Sequence, residues 1–130
     1  MIRSYRDLKV WQKSVDLAVE CYRLAGRLPR TEMYSLTSQI QRAAVSIPAN
    51  IAEGHGREHL GDYLHHLSAA NGSLMELETH LLIAARLTYF KSDDLKTVLL
   101  QTAEVGRMLN GLTAKLRSVR SNSTPARPIS

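Results

Sequence analysis

The chain has 130 residues, a formal net charge of +5 and 44% hydrophobic residues, but only 5% aromatics and a single cysteine, Cys21. That is one domain's worth of chain, able to bury a core without metals or disulfides; a lone cysteine excludes an intrachain disulfide and suits a reducing compartment. The opening Met1-Ile2-Arg3-Ser4-Tyr5-Arg6 lacks the apolar run of a signal peptide and no apolar stretch reaches membrane-spanning length, so a soluble, cytoplasmic protein with no membrane role is expected.

Charge is unevenly spread. Residues 1–30 carry seven basic and three acidic groups (+4), residues 31–90 three and six (−3), and residues 91–130 seven and three (+4). If the two ends of the chain lie together, one face is basic and another acidic, which suits polyanion binding or head-to-tail assembly as well as ordinary solvated helix surface.

Four helical segments follow in order. In the first, Leu8, Trp11, Val15, Ala18, Tyr22 and Ala25 repeat at alternating spacings of three and four, a heptad seam, with Asp7 as N-cap and Leu28-Pro29 as the stop. Val10, Leu17, Cys21, Leu24 and Leu28 are further apolar residues off that seam. A charged ladder, Arg6, Lys9, Lys13, Asp16, Glu20, Arg23, Arg27 and Arg30, is basic at both ends and acidic in the middle.

The second segment should start near Ser35 and end at Gly54 or Gly56. Ile40, Ala43/Ala44, Ile47 and Ile51 form its apolar stripe; Ser46, Asn50, Glu53 and Arg57 form a polar stripe on the adjoining face at 100° per residue. Pro48 sits inside it, a defect worth roughly 3 kcal/mol because the ring has no N–H and crowds the carbonyl of Ala44. The polar stripe reads either as a buried network that fixes helix register or as a recognition face; Asn71, Glu76 and Glu78 of the next helix belong to the same polar set.

The third and longest segment, about Leu60 to Tyr89, has the seam Tyr63, Leu67, Ala70, Leu74, Leu77, Leu81 and Ala84. Ser68, Ala69, Asn71, Gly72 and Ser73 beside it are small, and the expectation is that the Ala43–Ala52 region packs closely there, with Gly72 marking the tightest approach. Ser92-Asp93-Asp94 reads as turn and N-cap for the fourth helix, whose seam runs Leu95, Val98, Thr102, Val105, Leu109, Leu112, Leu116 and Val119. The expected architecture is all-α: an antiparallel up-down four-helix bundle over residues 1–120, then a disordered basic tail over 121–130.

Catalytic and metal patterns are weak. Five histidines include i,i+4 pairs (His55/His59, Glu76/His80), but the Glu-x-x-His repeat of carboxylate-bridged metal bundles is absent, as is any phosphate-cradling glycine loop. Cys21 has no sequence-local histidine. No catalytic residue, metal or cofactor is expected.

Three motifs carry a resemblance. Ser-Ile-Pro-Ala-Asn-Ile-Ala-Glu-Gly-His-Gly-Arg (46–57), Ala-Asn-Gly-Ser-Leu-Met-Glu-Leu-Glu-Thr (70–79) and Tyr-Arg-Asp-Leu-Lys-Val-Trp (5–11) resemble the bacterial four-helix-bundle family named after intervening sequences of 23S ribosomal RNA, over roughly residues 5–118. The chain is also similar, more loosely, to the accessory bundles of diversity-generating retroelements, which bind nucleic acid and a reverse transcriptase. The resemblance implies a bundle without catalytic residues or cofactors, commonly assembled as a ring of five.

The leading functional expectation is a non-enzymatic homo-oligomer that binds RNA or DNA non-specifically through Arg6, Lys9, Lys13, Arg23, Arg27 and Arg30, with Lys115, Arg117, Arg120 and Arg127 from the other end. With so few aromatics, a base-stacking platform is not expected. The alternative is a scaffold or adaptor ring that serves a protein partner.

Overall fold

The computed structural model describes residues 1–123, and Arg127, with residues 124–130 of the expected tail, lies outside them. A 3-10 turn (Tyr5–Asp7) leads into α1 (Lys9–Ala25); a second (Arg30–Glu32) precedes α2 (Leu36–His55), α3 (Leu60–Arg86) and α4 (Ser92–Ser123). No strand occurs among the described residues. α4 therefore continues three residues into the segment expected as tail.

Each helix packs on two neighbours in the cyclic order α1–α2–α3–α4, with α2–α3 the most extensive interface. Side-chain pairs fix the directions. Arg27 at the end of α1 meets Asp94 at the start of α4 (2.6 Å), and Lys13 meets Glu104 (3.6 Å). Ser46 meets Ser73 (2.8 Å) and Asn50 meets His66 (3.1 Å), so α2 and α3 also run oppositely. The bundle is antiparallel and up-down.

The seams of α2 and α3 fall where the periodicity places them: Ile40, Ala43, Ala44, Ile47 and Ile51, then Leu67, Ala70, Leu74, Leu77, Leu81 and Ala84, are buried, with Tyr63 partly so. In α4 only the middle of the expected seam, Val98, Thr102, Val105 and Leu109, is buried; Leu95, Leu112 and Leu116 are partly buried and Val119 is 51% exposed. α1 differs. Its buried stripe is Val10, Leu17, Cys21, Leu24 and Leu28, the apolar residues read as off the seam, together with Ser14, while Trp11 and Val15 are only partly buried and Tyr22 is exposed. The two stripes of α1 are about 110° apart at 100° per residue. Both have heptad spacing, and the inner one accommodates a serine because Ser14 Oγ donates to the carbonyl of Trp11 (2.8 Å). Ala18 and Ala25 of the expected seam, on its side nearer the inner stripe, are buried with that stripe.

Two local expectations are corrected. Asp7 does not cap α1: its carboxylate accepts from the backbone of Arg3 (2.8 Å) and Ser4 (3.2 Å), completing a capping box with Ser4 on the 3-10 turn, and these bonds lower its pKa. Leu8 at the α1 start gives no side-chain cap. Gly72 is not the tight approach either; a Cβ there would meet nothing within 4 Å. The close contact is at Gly54, where a Cβ would stand 2.7 Å from His66 Cβ and 3.0 Å from Tyr63 Cδ1.

α3 ends in a Schellman arrangement: the Tyr89 amide donates to Ala84 O (3.0 Å) and the Thr88 amide to Ala85 O (2.9 Å). The left-handed residue this requires is Thr88 (φ 65°), a β-branched side chain where glycine is usual.

Candidate nucleic-acid interface

The antiparallel packing divides the expected basic residues between the two ends of the bundle. Arg6 and Lys9 lie where the chain enters α1. α4 runs past that point: Lys115, Arg117 and Arg120 are 11–16 residues beyond Glu104, the partner of Lys13, or roughly 16–24 Å at 1.5 Å per residue. They occupy the same end as Arg6, Lys9 and Lys13. On opposite flanks of α4, Lys115 is on the α1 side, whereas Arg117 lies against α3 and Arg120's guanidinium comes 3.8 Å from the place of a Gly61 Cβ. Arg23, Arg27 and Arg30 lie at the other end.

The charges at the two ends differ in what already neutralises them. Arg27 is held by Asp94, Arg23 by Glu20 (3.6 Å, one turn earlier on α1), and Lys13 by Glu104. Arg6, Lys9, Arg30, Lys115 and Arg117 form no ion pair with another described residue. Arg6 instead lies 5.9 Å from the Tyr5 ring centroid, and Tyr5 packs edge-on against Trp11 (5.2 Å), so the turn that presents this cation is built on two aromatic rings.

The polar stripe of α2 meets α3 along a hydrogen-bonded seam. Asn50 Nδ2 donates to Ser46 O (2.9 Å) and to Ser46 Oγ (3.1 Å), and that hydroxyl also bonds Ser73 Oγ (2.8 Å). Because a carbonyl can only accept, Asn50's amide orientation is fixed and its Oδ1 faces His66 Nδ1 (3.1 Å). His66 Nδ1 is therefore the protonated nitrogen. Glu53 Oε2 lies 3.6 Å from the same nitrogen, with its side chain 62% exposed. Of the residues expected in one network, Asn50 and Glu53 come together. Arg57 is exposed just past α2, Asn71 lines a cleft toward α4, Glu76 lies 3.6 Å from His80 along α3, and Glu78 forms no ion pair with another described residue.

His66 and Ser73 were not singled out by periodicity. His66 belongs to no expected seam or polar stripe, and only the register of α2 on α3, set by the close contact at Gly54, brings it to Asn50. Among the described residues no three His, Cys, Asp or Glu converge as metal ligands. Cys21 is buried in the core and its thiol is pushed up to about 12 by burial and then by Glu20, so it carries no thiolate at neutral pH.

A second surface feature is apolar. The outer stripe of α1 and the exposed face of α2 form a groove of about 540 Å³ lined by Val15, Ala18, Val19, Tyr22, Arg23, Val45 and Pro48. The unexpected partial burial of Trp11 and Val15 and the exposure of Tyr22 belong to the same outer stripe. No described helix is long and apolar enough to cross a membrane.

These features define a compact antiparallel four-helix bundle with a polar seam between its second and third helices, a basic end and an outward apolar groove. The chain belongs to the 23S rRNA-intervening sequence protein family, whose pattern matches residues 6–111. It is similar to a crystal structure of a protein of unknown function from the S23 ribosomal protein family of Bacteroides thetaiotaomicron, with 25% identity and a TM-score of 0.75 over 80% of this chain and 97% of that one. No curated protein matches it.

Proposed function

We propose that the protein is a non-enzymatic, self-associating bundle of the cytoplasm that engages RNA or other nucleic acid without sequence preference. The observation that carries this reading is the gathering of Arg6, Lys9 and Lys13 with Lys115, Arg117 and Arg120 at one end, where Arg6, Lys9, Lys115 and Arg117 have no carboxylate partner among the described residues. Arg23, Arg27 and Arg30 form a secondary cluster whose charge is partly cancelled. Assembly supports the reading energetically, because a ring multiplies weak phosphate contacts through avidity. Five subunits is the number the family resemblance favours.

Titrating salt against binding to mixed-sequence RNA and DNA tests the proposal. For each phosphate neutralised, the slope of log affinity against log salt is expected to be roughly −0.9 on duplex DNA and −0.7 on single strands. Replacing Arg6, Lys9 and Lys115 together by Gln should flatten the slope more than replacing Arg23, Arg27 and Arg30. Absence of binding by the parent protein at low salt would transfer the case to a second reading, a scaffold for a protein partner, which the apolar groove of α1 and α2 favours.

A further inference from the structure

Between α3 and α4, toward the basic end, lies a notch of about 190 Å³. Its polar wall is made by Ser68 and Asn71 from α3 and by Asn110, Thr113 and Arg117 from α4. The spacing explains the convergence: residues three, four or seven apart share one helix face, and the two faces oppose each other across the interface. Buried Leu67 and Leu109 are at its base.

Two properties of the notch bear on what it can hold. None of the five polar side chains hydrogen-bonds or ion-pairs with another described residue, although amides, hydroxyls and a guanidinium stand together there. No carboxylate lines it, so an anion entering meets only donors and dipoles.

From this set we propose that the notch holds one phosphate group. Arg117 offers a planar fork that matches phosphate oxygens, the two asparagines offer amide N–H groups, and Ser68 and Thr113 offer hydroxyls. A planar carboxylate presents both oxygens to one side and is met by the fork alone. The tetrahedral oxygens of a phosphate diverge, so donors on two facing helices can each meet one. The proposal rests on the nucleic-acid reading above only for the source of that phosphate, a backbone phosphodiester rather than a free ion.

The test has two arms. In the first, the side-chain amide signals of Asn71 and Asn110 and the backbone amides of Thr113 and Arg117 are followed by NMR as sodium phosphate is added at constant ionic strength, with sodium acetate in parallel. Saturable shifts confined to the notch and specific to phosphate are expected; absence of shifts there, or equal shifts with acetate, overturns the phosphate site whether or not the protein binds RNA. In the second, binding of labelled oligouridylate is compared for the parent, Asn71→Ala, Arg117→Gln and the charge-matched control Arg86→Gln on exposed α3 surface. A phosphodiester in the notch predicts that Asn71→Ala weakens binding severalfold with an unchanged salt slope. Arg117→Gln should weaken it further than Arg86→Gln and reduce the slope by about 0.7. Phosphate-specific shifts without RNA binding by the parent, or with RNA binding indifferent to both notch variants, would keep the phosphate site and assign it to a free phosphate or monoester. Only the first of those two results also counts against the nucleic-acid reading.

Discussion

Single residues in this bundle are constrained unequally, and two of them show it. Thr88 holds a left-handed conformation that costs an ordinary residue about 1–2 kcal/mol, partly offset by its hydroxyl's bond to Leu87 O (2.6 Å). Thr88→Gly should therefore raise stability by about 0.5–1 kcal/mol, read from the urea midpoint at constant m; an unchanged or lower midpoint would show that the hydroxyl bond outweighs the strain. The α2–α3 seam gives the opposite lesson. Removing the Asn50 side chain leaves His66 Nδ1 without its acceptor and Ser46 without a donor, so Asn50→Ala should cost about 1–2 kcal/mol. Glu53→Ala should cost less than about 1 kcal/mol because the carboxylate is largely in water. The sequence alone suggested a buried ionic partner at Glu53, and its exposure removes the basis for a large penalty. Equal losses in the two variants, measured by thermal melting, would mean that the Glu53 contact matters as much as the Asn50 bonds.

At the level of whole helices, legibility depended on how many apolar stripes a helix carries. α3 offers one continuous heptad seam and buries it from Leu67 to Ala84; α4 buries the middle of its seam, Val98 to Leu109, and leaves Val119 beyond it exposed. α1 offers two at similar spacing, and its neighbours select between them: the stripe with small Ser14 and Cys21 goes inside, while the one with bulky, polar-tipped Trp11 and Tyr22 stays at the rim. Periodicity cannot make that choice, since the rule fixes spacing but not which face is turned inward. The same limit applied to the small residues of α3. Of them Ser73 meets α2, at Ser46, while Ser68 and Asn71 face α4 and Ala69 and Gly72 are exposed; the tight glycine is Gly54 on the partner helix. Gly54→Ala should accordingly destabilise by about 1–3 kcal/mol, since the Cβ would press on the Cβ of His66 and on Tyr63, neither of which can swing away as a long side chain tip would. Gly72→Ala, on exposed helix surface with nothing within 4 Å, should stabilise by about 0.5–1 kcal/mol. Chemical denaturation of the two variants side by side checks the pair; a stabilising Gly54→Ala would show that α2 and α3 can separate at no cost.

For the molecule as a whole, the basic end was legible in outline because charge counts along a chain survive folding, provided the topology is known. Its division was not, because Arg27 and Lys13 acquire carboxylate partners on α4 that no local pattern specifies; only the Arg23–Glu20 pair, one turn apart on α1, was open to a local reading. The phosphate notch was invisible for the same reason: its donors are 42 or more positions apart between Ser68 or Asn71 and Thr113 or Arg117, and only the α3–α4 register joins them.

The apolar groove belongs to this scale too, and it carries the assembly prediction. Val19, Tyr22 and Val45 are 49%, 46% and 43% exposed, yet they adjoin one another and Pro48 in one concave strip. An isolated bundle gains nothing by keeping such a strip in water, whereas a second copy that covers it recovers about 25 cal/mol for each Å² of apolar surface removed. We expect the parent protein to self-associate at micromolar concentration by light scattering. Val19→Glu and Val45→Glu should each shift it toward monomer, since association would then bury a carboxylate against apolar surface. Their folds should persist, because both side chains project from the outer face of the bundle rather than into its core. A monomeric parent, or charged variants that assemble as the parent does, would show that this groove is not the contact between copies.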